Sequence, residues 1–295
     1  MNSEQNKKAI AVVGLGNMGS ALAAALLAKG YTVNVWNRTT AKATPLVEQG
    51  ANLVKDVTEA ARLSDVLIIC VAEYPVIEAL LHDDTVEGAL RGKAVIQLGV
   101  VTVEEAEQNA AWAKEHGIEY LEGSMLGVPD TVIAGKAQVV CSGSREQFDQ
   151  FKTILQSFGP PIHISETTGA AYEVDKLLYP LSWGISLGLA QGAAMASAAG
   201  YSIGAFNEIL FEWFKPIPGR VETFGKLIAS EDFTAYQATL SAWVAGYEKS
   251  HALCQSLGVD DTLMKAHTAM MQKAVDQGYG DEEIISVFKS LLPKQ

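Results

Sequence analysis

The sequence is short of nearly everything that metal or acyl-transfer chemistry requires. Its 3 cysteines, Cys70, Cys141 and Cys254, are odd in number and far apart. Without a CxxC pair they predict neither a disulfide framework nor a cysteine-rich metal site. The 5 histidines contain no His-x-x-x-His spacing, so no metal is expected, and no GxSxG turn or cysteine–histidine signature points to acyl transfer. Basic residues are scarce as well: 22 Lys and Arg face 34 Asp and Glu, a net charge of −12. Such a surface repels phosphate backbones and anionic lipid, which argues against nucleic acid and membrane as partners. Any anionic ligand must be held by local cations or backbone amides. The apolar run before the first glycine is too brief for a signal peptide, and reduced thiols suit a cytoplasmic protein. One stretch, Leu177 to Asn207, has no charge at all. It could span a bilayer by length, but it is rich in Gly, Ala and Ser and holds Pro180 and Gln191, so a buried soluble helix is predicted.

What is present is a regular alternation. "KAIAVVGLG" reads as a strand entering a glycine turn, "NMGSALAAALLAKG" as a helix closed by Gly30, and "YTVNVWNRT" as a second strand. Further strand and helix patterns follow to "PIHIS" near residue 165, predicting a mainly parallel sheet with helices on both faces. Beyond Gly169 the pattern becomes helical throughout. The expected architecture is an α/β Rossmann domain over residues 1–165, a long helix over 166–200 and an all-α domain over 201–295. Pro180 should kink the long helix. Gly184, Gly188 and Gly192 form a smooth stripe along it, suited to close packing within one subunit or against a second.

"GLGNMG" places Gly14, Gly16 and Gly19 between a strand and a helix. The first glycine permits the tight turn, the second lets a pyrophosphate approach, and the third lets the helix pack on the strand. Leu15, Asn17 and Met18 complete the turn, and backbone amides at the helix start would face the phosphates. An acid at the end of the second strand would select NADH by binding the ribose hydroxyl. The chain instead has Asn37, Arg38 and Thr39, with Lys42 on the next turn. Two cations, a hydroxyl and an amide suit a 2′-phosphate, so NADPH is the expected cofactor. Val71 and Leu98, at the ends of two later strands, complete the candidate cofactor contacts.

Tyr172, Asp175 and Tyr179 recur at helical spacing on one face, and Trp183 continues it one turn later. One carboxylate among aromatics suits a cationic or apolar substrate; the same acid could instead begin the helix, with the aromatics as core. Lys176 is one position on and should point about a third of a turn away.

Taken together, "GLGNMGSALAAALLAKG", "VWNRTTAKA", "VTVEEA" and the helix after "TTGAAYEVD" resemble the 3-hydroxyacid dehydrogenase superfamily and, within it, the imine reductases. In the hydroxyacid enzymes a catalytic lysine lies six residues after the glycine that opens this helix. Counting from Gly169 gives Asp175, and the serine of their "SGG" loop is replaced by Leu126. The resemblance implies reduction of cyclic imines to chiral amines with NADPH, with Asp175 anchoring the iminium or, if burial raises its pKa, supplying a proton. It also implies a homodimer that exchanges helical domains, with Trp213 of "LFEWF" in the pocket wall. Val100 stands where reductive aminases carry asparagine, which implies weak coupling of ketones with amines. Two alternatives stay open: a 3-hydroxyacid dehydrogenase using unusual catalytic residues, and a non-catalytic NADPH-binding sensor.

Overall fold

The computed structural model describes residues 8–235 and 237–293. Eight strands, β1 (Ala9–Val13), β2 (Thr32–Trp36), β3 (Asn52–Leu53), β4 (Val66–Ile69), β5 (Ala94–Gln97), β6 (Glu119–Leu126), β7 (Gln138–Ser142) and β8 (Pro161–Ser165), form one sheet. Its order is β3-β2-β1-β4-β5-β6-β7-β8. Neighbours run parallel except β6 and β7, which are antiparallel. The expected mainly parallel α/β domain is therefore present.

The sheet is apolar on both faces because helices cover both. Along β1, Ile10 and Val12 join one core cluster and Ala11 and Val13 the other; along β4, Val66 and Ile68 separate from Leu67 and Ile69 in the same way. Strand order turns back between β1 and β4, the place where open α/β sheets leave a crevice beyond the carboxyl ends of their strands.

The chain divides into two compact units, Met1–Tyr179 and Pro180–Gln295. The division falls inside the long helix, Ala170–Ala198, rather than at residue 165, where composition changes. The first turn of this helix is bonded to the sheet, which joins it to the first unit. Pro180 lies within the helix without ending it; its missing N–H leaves the Lys176 carbonyl without an intrahelical donor.

The second unit is helical, with its main helices at Ile203–Phe214, Ile217–Ser230, Leu240–Ser256 and Thr262–Ala274. Ser202 and Thr239 cap two of them, accepting from the N–H groups of Ala205 and Ala242. Its core is small: Leu240, Val244, Met271 and Ala274, with Tyr247, Val275 and Ile284 packed around them. Gly192 approaches the Phe206 ring so closely that an added Cβ would lie 3.2 Å from it, while Gly184 and Gly188 face open space. Among the described residues, no helix is long and apolar enough to cross a membrane.

Candidate active site

A cavity of about 650 Å³ opens in the first unit, beyond the carboxyl ends of the central strands. The glycine turn forms its floor. Gly14 has φ +95, and an added Cβ there would collide with the Cys70 carbonyl oxygen; one at Gly19 would collide with the Gly14 carbonyl. At Gly16 a Cβ would meet nothing within 4 Å. The first and third glycines thus hold turn, strand and helix together, and the second leaves the backbone open to a ligand. This is the cradle a pyrophosphate needs, at the head of the helix Asn17–Ala28.

The end of β2 is tied to that turn. Asn37 Oδ1 accepts from the Leu15 N–H at 2.9 Å, and its Nδ2 donates to the Thr39 carbonyl at 3.0 Å. Asn37 therefore shapes the loop that carries Arg38 and Thr39. Arg38 and Lys42 are exposed, line the cavity, and form no ion pair among the described residues. In a chain of net charge −12, these two cations give the cavity rim a local positive charge.

The start of the long helix also lines the cavity, and a buried hydrogen-bond relay fixes it. Glu122 Oε1, on β6, accepts from the Gly169 N–H and, at 2.5 Å, from the Ser142 hydroxyl. Ser142 Oγ in turn accepts from the Ala171 N–H at 2.8 Å. The Tyr172 hydroxyl donates to the Gln97 carbonyl of β5 at 3.0 Å. Tyr172 is buried and its hydroxyl is held by the sheet, so it anchors the helix; burial pushes its phenol well above the ordinary range. Gly169, at φ +87, packs where a Cβ would lie 2.6 Å from Val103. Val103 opens a helix set by a capping box, in which Thr102 accepts from the Glu105 N–H and Glu105 from the Thr102 N–H. Four elements thus determine where Asp175 points.

Burial raises the Glu122 carboxyl above its ordinary value of 4.5, while its bonds to Ser142 and Gly169 oppose the shift. The folded chain keeps that proton to a higher pH than the unfolded chain does. The stability this group contributes is thus complete below the unfolded value and is lost as pH rises through the folded one. Glu122→Gln keeps an acceptor for Gly169 and Ser142 and removes the titration. Its Tm should fall less than the wild type's between about pH 5 and 8, as thermal unfolding at both pH values would show. Equal falls would mean another group is responsible.

Asp175 and Tyr179 line the cavity together with Tyr172, Val71, Leu98, Ser124 and Met125. The Asp175 side chain is 14% exposed. Lys176 departs from the one-third-turn expectation. Its Cα is displaced around the helix, but its flexible stem brings Nζ to 2.8 Å from Asp175 Oδ2 and 3.2 Å from the Tyr179 hydroxyl. It lines the same cavity.

The structure thus brings together Gly14, Gly16, Asn17, Met18, Gly19, Asn37, Arg38, Thr39, Lys42, Val71 and Leu98 with Tyr172, Asp175 and Tyr179. Leu15, Leu126, Trp183 and Trp213 are not among the residues that line this cavity. The Leu15 side chain is in the core, and only its backbone serves the turn. Leu126 pairs with Gln138 on β7 and does not line the cavity; Ser124 and Met125 take that place. Trp183 and Trp213 belong to the second unit and are 61% and 62% exposed. Trp213 borders a separate cavity there with Pro216 and Arg220. Trp36, Cys70 and Glu73 also line the first cavity and carried no signal of their own in the sequence. Burial pushes the Cys70 thiol to about 12, which removes it as a nucleophile. Among the described residues, no group of His, Cys, Asp and Glu could hold a metal ion.

Comparison with known proteins agrees with this geometry. Residues 9–169 match the family model described as the NAD binding domain of 6-phosphogluconate dehydrogenase. Residues 167–292 match that of the NADPH-dependent reductive aminase-like C-terminal domain. The NADPH-dependent reductive aminase of Aspergillus oryzae is 29% identical over 286 residues, 96% of each chain. An imine reductase from Myxococcus stipitatus, solved with NADP+, superposes with a TM-score of 0.89 at 30% identity, over 96% of this chain and 100% of that one. A reductive aminase from Aspergillus terreus, solved with NADPH and ethyl-5-oxohexanoate, gives 0.89 at 28% identity, over 97% and 100%. The chain belongs to the family of imine reductases and reductive aminases, NAD(P)H-dependent oxidoreductases that act on C=N bonds.

Proposed function

We propose that this protein reduces cyclic imines to chiral amines with NADPH, and that Asp175 holds the cationic C=N group for reduction. The observation that carries the reading is a carboxylate, paired with a cation, in the same cavity as the glycine turn. NADPH, when bound, supplies the hydride. The turn built by Gly14, Gly16 and Gly19 would cradle its pyrophosphate, and Arg38, Thr39 and Lys42 would hold its 2′-phosphate. Val71, Leu98 and Met125 provide apolar walls that keep water from the reacting carbon.

An iminium accepts hydride far more readily than a neutral imine, so a site that favours the cation favours the reaction. A carboxylate 4 Å from it attracts by about 4 kcal/mol at an effective dielectric near 20; an ammonium alone would repel by as much. The ion pair with Lys176 supports an anchoring role for Asp175, since an anion that already binds one cation can bind another in its place. Proton donation is the weaker role on this ground. Oxidation of NADPH in the presence of 2-methyl-1-pyrroline tests the activity, and no oxidation across a panel of cyclic imines would leave a cofactor-binding sensor as the better reading. Val100 is 56% exposed and lines the cavity, where it offers no hydrogen bond to an amine or carbinolamine. Weak reductive amination follows from that.

The proposed assembly is a homodimer in the cytoplasm. In the second unit, Leu187, Ile209, Phe211 and Trp213 are 54%, 70%, 71% and 62% exposed, and the helices Ile203–Phe214 and Ile217–Ser230 bury no residue fully. So much exposed apolar surface calls for a partner, and a second copy presenting the same helices supplies one. The free thiols agree with a reducing compartment. Leu187→Asp is expected to convert the dimer to a monomer, as light scattering would show; an unchanged mass would place the interface elsewhere.

A further inference from the structure

Beside the carboxylate lies a cation that iminium reduction does not call for. Lys176 Nζ is 2.8 Å from Asp175 Oδ2, 3.2 Å from the Tyr179 hydroxyl and 4.6 Å from the Tyr179 ring centroid. Asp175 is the more enclosed partner, 14% exposed against 43% for Lys176. Burial alone would lower the Lys176 pKa, but the bonds to Asp175 and Tyr179 outweigh it and raise the value. The ammonium is therefore charged throughout the neutral range.

A substrate whose only charge is the iminium must take Asp175 from this ammonium and then sit beside it, like charge against like. A carboxylate on the imine carbon reverses that conflict. By standard covalent dimensions, nitrogen and carboxylate oxygen in such an α-imino acid are about 2.7 Å apart, close to the 2.8 Å separating Nζ and Oδ2. Laid antiparallel on the protein pair, its iminium meets Asp175 and its carboxylate meets Lys176. The four charges then alternate, and none is left unpaired.

We propose, on the reading that Asp175 receives the iminium, that Lys176 receives a substrate carboxylate and that the preferred substrates are zwitterionic cyclic imines carrying that carboxylate on the imine carbon. The imine carbon gains the hydride, the C=N π pair moves to nitrogen, and the amine formed takes a proton from solvent. The product is a cyclic α-amino acid, and NADPH is oxidised to NADP+. Lys176 here is a specificity residue that touches the substrate away from the reacting bond.

The test compares 1-pyrroline-2-carboxylate with 2-methyl-1-pyrroline, in the wild type, Lys176→Gln, Lys176→Arg and Asp175→Ala. Calorimetry of proline and 2-methylpyrrolidine binding to the NADP+-loaded protein supplies a readout apart from turnover. The wild type is expected to favour the carboxylate by about tenfold or more in kcat/KM, Lys176→Gln to remove that preference mainly through KM, and Lys176→Arg to keep part of it. Proline should bind more weakly to Lys176→Gln. A wild type that prefers the methyl compound, or a ratio unchanged in Lys176→Gln, overturns the inference even where Asp175→Ala abolishes both reactions and the imine reductase reading stands. Lys176-dependent binding of proline without reduction of either imine upholds the carboxylate site and refutes the reaction.

Discussion

Asp175→Ala is expected to lower kcat/KM for a cyclic imine by about 100- to 1000-fold. The size follows from the roughly 4 kcal/mol that a carboxylate contributes toward a cation at 4 Å in a partly enclosed site. The lower end allows for the competing Lys176 ammonium at 2.8 Å. The loss should be specific. NADPH affinity should hold, because among the described residues no hydrogen bond or ion pair joins Asp175 to the glycine turn, Arg38 or Lys42. The relay through Glu122, Ser142 and Ala171 binds the helix at its first turn, ahead of Asp175, so the fold should survive. The alanine variant also leaves Lys176 without its counter-ion, which turns an attraction for the iminium into a repulsion. Asp175→Asn should therefore be nearly as inactive as alanine although it preserves shape. Steady-state NADPH oxidation, with cofactor binding measured separately, would check both. Wild-type rates in either variant would remove Asp175 from the chemistry.

The second large effect concerns the cofactor. Arg38 and Lys42 are exposed cations without ion-pair partners among the described residues, so they have no structural work to lose. Each charge-assisted bond to a phosphate contributes about 1.5–3 kcal/mol. Arg38→Ala with Lys42→Ala is thus expected to raise the KM for NADPH by about 100-fold or more and to leave that for NADH nearly unchanged. Ionic strength gives a second handle. Exposed charges are screened over about 8 Å at physiological salt, so added salt should raise the wild-type KM for NADPH and have little effect on the double variant. Kinetics with both cofactors at two salt concentrations would show this. A wild type that uses NADH as well as NADPH would contradict the assignment.

Local signals were legible where one stretch of chain sets the geometry. The glycine turn and the two-sided apolar strands are each specified within a few residues, and the structure carries their geometry as read. Long-range features were harder to read. Nothing near Glu122 in the sequence says that its carboxylate will bond Gly169, 47 positions on, because that contact depends on how β6 and the long helix meet. Matching the chain to the "SGG" loop of the hydroxyacid enzymes points to Leu126, but pairing with Gln138 on β7 decides which β6 residues reach the cavity. Lys176 departs from helical spacing for another reason. Helical spacing locates a Cα, and a four-carbon stem can bring its charge back across that angle. Trp183 follows from aromatic spacing, which reports amphipathicity without saying which surface an aromatic face meets, and Trp213 rests on the resemblance alone.

A permanently charged substrate tests the central claim most directly. N-methyl-1-pyrrolinium carries its cation at every pH and needs no proton to accept a hydride. If Asp175 acts by holding positive charge, Asp175→Asn should reduce this compound at least about 100-fold less efficiently than the wild type, with no recovery at low pH. If Asp175→Asn reduces it as well as the wild type does, the carboxylate is not an anchor for the C=N cation, and the account given for this site is wrong.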